Sequence, residues 1–342
     1  MSQTLNPRPL VVRFGALGDM VILTVLIRHL HARFGQPVDI VASGGWARPL
    51  LQDQPGVGEI YVIRSRNTPY WLSSEQRAVV KALRQRGAGP TWLADIDNRK
   101  AKWLLQRAGW TPQLCCEYHG LRDIPGPHQC DMFLRFAYRN PPIIGEDLPL
   151  TSNDAYGQLW VSDPQRSALQ QWLVSKGLAN QQLILIQVGN KRTMRRGLRT
   201  RASNTKYWPE ENWAAVLRDL RKLHPDHAIL MLGVPNEAAL NDEILKLATI
   251  DNAYNIANEL PIPRLIALCE RAVGMVSVDT GPAHVAAAVG CRVVTLYGKS
   301  DPSIYQPRGA QLNSVCLSKQ YQGERSMLGI QPADVLAAWQ AV

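Results

Sequence analysis

Two short stretches hold the residues best suited to chemistry. In the first, Gly15-Ala16-Leu17-Gly18-Asp19 follows the apolar run Leu10 to Phe14 and leads at once into a helical pattern. Gly15 and Gly18 permit a tight turn whose backbone a ligand can approach. The carboxylate of Asp19, set there, is able to take the proton of an attacking hydroxyl as a general base. It would serve equally as a helix cap answering the helix dipole, and the residues alone leave both roles open. In the second stretch, Asp279-Thr280-Gly281-Pro282-Ala283-His284 follows the apolar run Gly274 to Val278. Pro282 marks a first helical turn. Outward N–H groups there, with the Thr280 hydroxyl and flexible Gly281, form an anion site suited to a diphosphate, and His284 one turn in adds a donor. The alternative is again structural: Asp279 or Thr280 as cap, and His284 as a satisfied core histidine.

Both stretches end a strand and begin a helix, so the elements around them decide whether they can act. Leu10 to Phe14, Val38 to Ala42, Ile60 to Ile63 and Trp92 to Ile96 are short apolar runs of strand length. Helical spacing separates them, for example over Glu75 to Arg86 and Asn98 to Arg107. From Cys115 to Asp163 the periodicity weakens and Pro125, Pro127, Pro141, Pro142 and Pro149 intervene, with one short helix expected over Met132 to Tyr138. A second alternating series runs from Leu183 to Tyr297. Short buried strands between helices predict parallel sheets, hence an α/β protein of two Rossmann-like doubly wound domains, 1–163 and 164–342, facing a central cleft. Ligands in such sheets bind beyond the carboxyl ends of the strands, where both stretches lie. The G-x-G-x-x-G spacing is absent and Asp39 begins its strand rather than ending it, which disfavours a nicotinamide dehydrogenase.

At 342 residues the chain is long enough for two such cores. It carries 38 Lys and Arg against 28 Asp and Glu, a net charge of +10 that favours anionic partners such as nucleotides, phosphorylated glycolipid or an acidic membrane face. The polar start, Met1 to Pro9, and the lack of an apolar segment of about 18 residues predict a cytoplasmic protein without signal or membrane span, soluble or at most peripheral to a membrane. Six cysteines show no C-x-x-C pair and no zinc spacing, so they are expected to be reduced and structural, with no metal site.

Val11 to Asp19 together with Val278 to His284 resembles glycosyltransferase family 9, the heptosyltransferases. Lys206-Tyr207-Trp208-Pro209 resembles the family's Lys-x-Trp-Pro segment, Gly233-Val234-Pro235-Asn236-Glu237 its Gly-x-Pro-x-Glu loop, and Tyr297-Gly298-Lys299-Ser300-Asp301-Pro302 its Gly-x-x-Asp-Pro turn. The five segments stand in family order across residues 10 to 302. The resemblance implies the GT-B fold, with an N-terminal acceptor domain, a C-terminal donor domain, and a final helix over 331–342 returning to the first domain. It implies heptose transfer from an ADP-heptose-like donor to a lipopolysaccharide inner-core-like acceptor, by single displacement with inversion, without metal or other cofactor. Carried over by motif, Asp19 is the general base, Lys206 a cation for the diphosphate, Glu237 a ribose or base contact, and Thr280 with Gly281 the phosphate turn, completed by Asp279 and His284. Another nucleotide-sugar enzyme of the same fold, an epimerase included, and a silent binding member are the alternatives.

One stretch departs from the family pattern. Residues 191 to 201 carry six cations among eleven residues, suited to phosphates of donor or acceptor, to anionic headgroups, or to no specific role. With no recognition helix, no RNP-like motif and no interleaved aromatics, nucleic acid is not the expected partner. Trp46 and Trp71 are candidates for acceptor contact. Asp95 and Asp97 are placed to line the acceptor side but are equally explained as helix caps, and His128 is read as a surface loop histidine rather than an acceptor contact.

Overall fold

The computed structural model describes residues 5–65, 67–118, 128–190, 204–311 and 313–341. The basic stretch 191–201 lies outside them. Two compact units divide between Trp160 and Val161, slightly ahead of the expected boundary at 163. Ser162 caps the first helix of the second unit, its hydroxyl accepting from the Gln165 N–H, so the lead-in belongs with that helix.

Unit 1 is a five-stranded parallel sheet in the order β3-β2-β1-β4-β5, built from β1 (Leu10–Arg13), β2 (Val38–Ser43), β3 (Val57–Ile63), β4 (Thr91–Leu93) and β5 (Cys115–Glu117). Every residue of β1 is buried, as its central place requires. Helices α1 (Leu17–Ile22), α2 (Thr24–Phe34), α3 (Ala47–Leu51), α4 (Ser74–Arg86), α5 (Arg99–Ala108) and α6 (Gln129–Ala137) complete it. In α5 the buried residues Ala101, Leu104, Leu105 and Ala108 recur at helical spacing and join Leu10, Val12, Val79 and Leu83 in one core. Helix α2 ends at Gly35, whose φ of 58° is the left-handed cap geometry. Asp39 at the head of β2 is buried and held by Arg8 and Arg86, an anchor rather than a ribose ligand. Strand β5 and helix α6 fall in the stretch expected to be a crossing between domains; three strand residues are too few to show a period.

Unit 2 opens with α7 (Asp163–Ser175) and holds a six-stranded sheet in the order β11-β10-β9-β6-β7-β8. Its strands are β6 (Leu183–Gln187), β7 (Ala228–Met231), β8 (Ala253–Asn255), β9 (Gly274–Val278), β10 (Val293–Tyr297) and β11 (Ser314–Ser318), all parallel to their neighbours. Between them lie α8 (Glu210–Leu223), α9 (Ala238–Ala248), α10 (Ile262–Arg271), α11 (Gly281–Ala288) and the single turn α12 (Pro302–Tyr305); the short pair β12 (Gln320–Tyr321) and β13 (Glu324–Arg325) precedes the last helix, α13 (Pro332–Ala341). The resemblance implies a return of this last helix to the first domain, whereas its buried side chains pack within unit 2. Val335, Ala338 and Trp339 join the core there with Trp208, Trp213 and Leu217, and the Trp339 Nε1–H donates to His224 Nε2 at 2.9 Å. Its apolar face is spent within its own unit. The cysteines are unbridged, and burial raises the Cys291 thiol to about 12, which keeps it from acting as a thiolate.

Candidate functional site

In unit 1 the strand order reverses between β1 and β4, the place where open α/β sheets bind ligands. The loops leaving these two strands form one polar cluster. Asp19 stands in the first turn of α1. Its Oδ2 accepts the Ala16 N–H at 2.7 Å, and its Oδ1 accepts from the Arg13 guanidinium at 2.8 Å. Arg13 is buried. It also donates to the Ala94 carbonyl at 2.6 Å and lies 3.4 Å from the Asp95 carboxylate, which in turn accepts the Phe14 N–H at 3.0 Å. One guanidinium thus spans two carboxylates across the switch point. Asp19 is therefore a cap and a partly exposed carboxylate at once, the two readings being compatible. Gly15 is required by this packing: a Cβ there would lie 2.5 Å from Asp19 Cβ. Gly18 is buried within α1. Trp46 joins the cluster, its indole N–H donating to the Gly15 carbonyl at 3.2 Å.

In unit 2 the order reverses between β6 and β9. The loop after β9 presents Asp279, buried, and Thr280, the residue before α11. The Thr280 side chain makes no capping bond to that helix, so of the two caps weighed from the sequence the Thr280 one is not formed. Its hydroxyl donates back to the Val278 carbonyl at 3.2 Å. Gly281 opens the helix, and His284 is buried within its first turn. The Lys206 ammonium donates to the Asp279 carbonyl at 2.6 Å and pairs with its carboxylate at 2.7 Å. Lys206 reaches this place because the chain before it crosses the end of β10 at Gly298, where a Cβ would run into the Thr205 carbonyl oxygen. An ammonium has three protons, so two contacts leave one for a ligand.

Glu237 sits one strand further, over the ends of β6 and β7. Its Oε2 accepts the Val234 N–H at 2.9 Å. Cβ atoms at Gly189 and Gly233 would fall 2.6 and 3.0 Å from its carboxylate oxygens, so both glycines make room for it. The residue is 4% exposed. Burial raises its pKa, opposed by the Val234 N–H and the Gln187 side chain. Beside it opens a cavity of about 430 Å³ lined by Gly233, Val234, Ala257, Trp172, Glu259 and Arg264.

Sequence reasoning missed Arg13 and set Asp95 aside. The visible signal was a lone arginine in the apolar run Leu10 to Phe14. His128, expected at the surface, is instead buried at the cap of α6, its Nδ1 accepting the Cys130 N–H at 3.1 Å. Asp97 pairs with Arg99 at the surface. Trp71 is exposed on the turn before α4. Among the described residues no three His, Cys, Asp or Glu side chains stand where they could hold a metal.

The model of the family described as glycosyltransferase family 9 (heptosyltransferase) matches residues 164–331, most of unit 2. Lipopolysaccharide heptosyltransferase 2 of Escherichia coli (strain K12) is 24% identical over 353 aligned positions, covering 96% of each chain. The solved structure of the E. coli ADP-heptose LPS heptosyltransferase II superposes with a TM-score of 0.73 at 22% identity, over 98% of each chain. That of the E. coli heptosyltransferase WaaC with ADP gives 0.71 at 18%, over 98% of this chain and 99% of that one. The two α/β units are those of the GT-B fold class.

Proposed function

We propose that this chain, which belongs to glycosyltransferase family 9 and is a glycosyltransferase, transfers a heptose from an ADP-heptose-like donor to a lipopolysaccharide inner-core-like acceptor, inverting the anomeric centre. The observation that carries the donor half is the row of groups along one sheet edge of unit 2. The uncapped start of α11 and Lys206 stand at β9, and Glu237 with its cavity stands at β6 and β7. Neighbouring parallel strands are spaced about 4.8 Å, so the row spans roughly 10 Å, the length of a nucleoside diphosphate. The diphosphate takes the helix N–H groups, the Thr280 and Gly281 turn and the remaining Lys206 proton. The ribose takes Glu237, and the base takes the cavity. The relative solved with ADP supports this choice of nucleotide.

The acceptor half rests on Asp19. The acceptor hydroxyl oxygen attacks the anomeric carbon as the bond to the diphosphate breaks. The departing ADP keeps the electron pair, and the hydroxyl proton passes to the Asp19 carboxylate. Charge developing on ADP is met by fixed N–H dipoles and an ammonium, which need no reorganisation at the moment of transfer and so serve without a bridging metal. Arg13 holds Asp19 in place from below, and Asp95 holds Arg13.

Calorimetry with ADP, UDP and GDP, followed by product analysis with ADP-heptose and a core-type acceptor, tests the reading. Selective binding of ADP and formation of one heptosylated product with inverted configuration are expected. Preference for UDP or GDP would refute the donor, a retained configuration would refute the single displacement, and no nucleotide binding would leave a silent member of the family.

A further inference from the structure

Unit 1 carries an exposed aromatic surface outside the clusters built around Asp19 and Lys206. Trp71 is 74% exposed, Leu72 59%, Trp103 66%, and Ile96, on the loop leading into α5, 58%. Four contacts tie the turn that carries Trp71 to helices α4 and α5. Arg107 lies over the Tyr70 ring at 4.8 Å and over the Trp103 ring at 5.7 Å, so its guanidinium is flanked by both. Arg77 of α4 donates to the Trp71 carbonyl at 2.6 Å. Lys100 of α5 donates to Asn67 just before the turn. Along α5, Arg99, Trp103 and Arg107 are four residues apart and share a helix face. The buried side of this helix is made by Ala101, Leu104, Leu105 and Ala108, which leaves Trp103 outside the core.

The charge around the face is predominantly positive, although Asp97 pairs with Arg99, Glu75 with Arg64 and Glu117 with Lys102. Residues 64 to 114 include ten Lys and Arg against three Asp and Glu, and none of the three lies after Asn98. Large apolar groups bordered by cations, on a chain in which no described helix is long and apolar enough to cross a membrane, match the composition of surfaces that lie on anionic lipid. Tryptophan rings settle at the headgroup level and arginine and lysine stems extend their charges to phosphate. The face also adjoins the functional edge: Ile96 follows β4, one residue beyond Asp95, and the turn 70–72 belongs to the loop that leaves β3 on the same carboxyl side of the sheet. We infer that the Trp71, Leu72 and Trp103 face of unit 1 docks on an anionic lipid bilayer. This deepens the proposed glycolipid acceptor, resting on that reading only for the reason a lipid surface is sought; binding to lipid itself is independent of it.

The test is flotation of the full chain with vesicles of phosphatidylcholine alone or with one third phosphatidylglycerol, alongside tryptophan quenching by brominated lipid. Binding to the anionic vesicles, weakened by raised salt, and quenching are expected. Trp71→Ser with Trp103→Ser should lower the partition coefficient at least about tenfold and abolish the quenching. ADP affinity, a property of unit 2, and the melting temperature should hold, since both side chains are exposed. Loss of ADP binding in the wild type would strike the proposed function and leave this inference standing. The inference is overturned if the wild type ignores anionic vesicles, or if the double variant binds them as the wild type does while neutralising the cations of residues 191–201 releases the protein. It is overturned too if the double variant converts a dimer into a monomer, which would make the face a contact between two copies.

Discussion

Lys206→Ala removes two things at once, and the structure separates them. The ammonium is 2.7 Å from the Asp279 carboxylate, whose side chain is 9% exposed against 31% for the lysine. Exposed pairs contribute at most about 1 kcal/mol, whereas removing one partner of a fully buried pair costs about 3–5 kcal/mol. This pair lies between them, and roughly 2 kcal/mol is expected from leaving Asp279 without its cation. For a unit of this size that corresponds to a fall in melting temperature of about 4–8 °C. Loss of the proposed charged contact to the diphosphate should separately weaken ADP by roughly 2 kcal/mol, or about thirtyfold. The double variant Lys206→Met with Asp279→Asn distinguishes the two effects. Without a lone carboxylate to bury it should recover most of the thermal stability, as read by calorimetric melting. Without the ammonium it should keep the weak ADP affinity, as read by titration. Recovery of both would refute the role given to Lys206, and recovery of neither would refute the stability argument from Asp279.

Asp19→Asn keeps an acceptor for the Ala16 N–H but cannot take a proton, so kcat should fall by about 10²- to 10⁴-fold with ADP affinity unchanged; steady-state kinetics beside calorimetry check this, and undiminished turnover in this variant would remove Asp19 as base. Gly298→Ala drives a Cβ against the Thr205 backbone carbonyl, which cannot rotate away as a side chain would. A loss of about 1–3 kcal/mol and weaker ADP binding through displaced Lys206 are expected in melting and titration. Glu237 titrates above its ordinary value because it is buried. Its raised pKa means that the protonated form is the better tolerated one. The stability it permits is complete below the ordinary glutamate range and declines as pH rises through the elevated value, by about 1.4 kcal/mol for each unit of elevation. Glu237→Gln should therefore gain on the wild type in denaturant midpoint as pH rises from about 4 to about 7, and a gap that does not widen with pH would contradict the assignment.

Much of this molecule is legible in its sequence alone. The strand-length runs beginning at Leu183, Ala228 and Gly274 stood out because a buried parallel strand excludes charge along its length, and the run read from Arg292 begins in the structure one residue later, at Val293. The two loops that follow β1 and β9 were found for a related reason: a glycine or a proline at a strand-to-helix junction is a local requirement written in local residues. The class of enzyme followed from the resemblance of five segments, in order, to those of glycosyltransferase family 9. What the sequence withheld were relations between distant residues. It marked Arg13 as an oddity in an apolar strand but could not show that the guanidinium joins Asp19 to Asp95, because that link exists only once β1 and β4 lie side by side. It offered Lys206 and Asp279 as separate candidates, and only the crossing at Gly298 makes them a pair. The last helix was expected on the first domain, but its apolar stripe specifies burial, not against which partner. Trp71 and Trp103, 32 positions apart in the chain, became one face only when α5 packed beside the turn before α4. Local patterns fix elements and their ends, since each depends on neighbours within a few residues; electrostatic pairing and shared surfaces depend on which elements meet, and that is decided by packing of the whole unit.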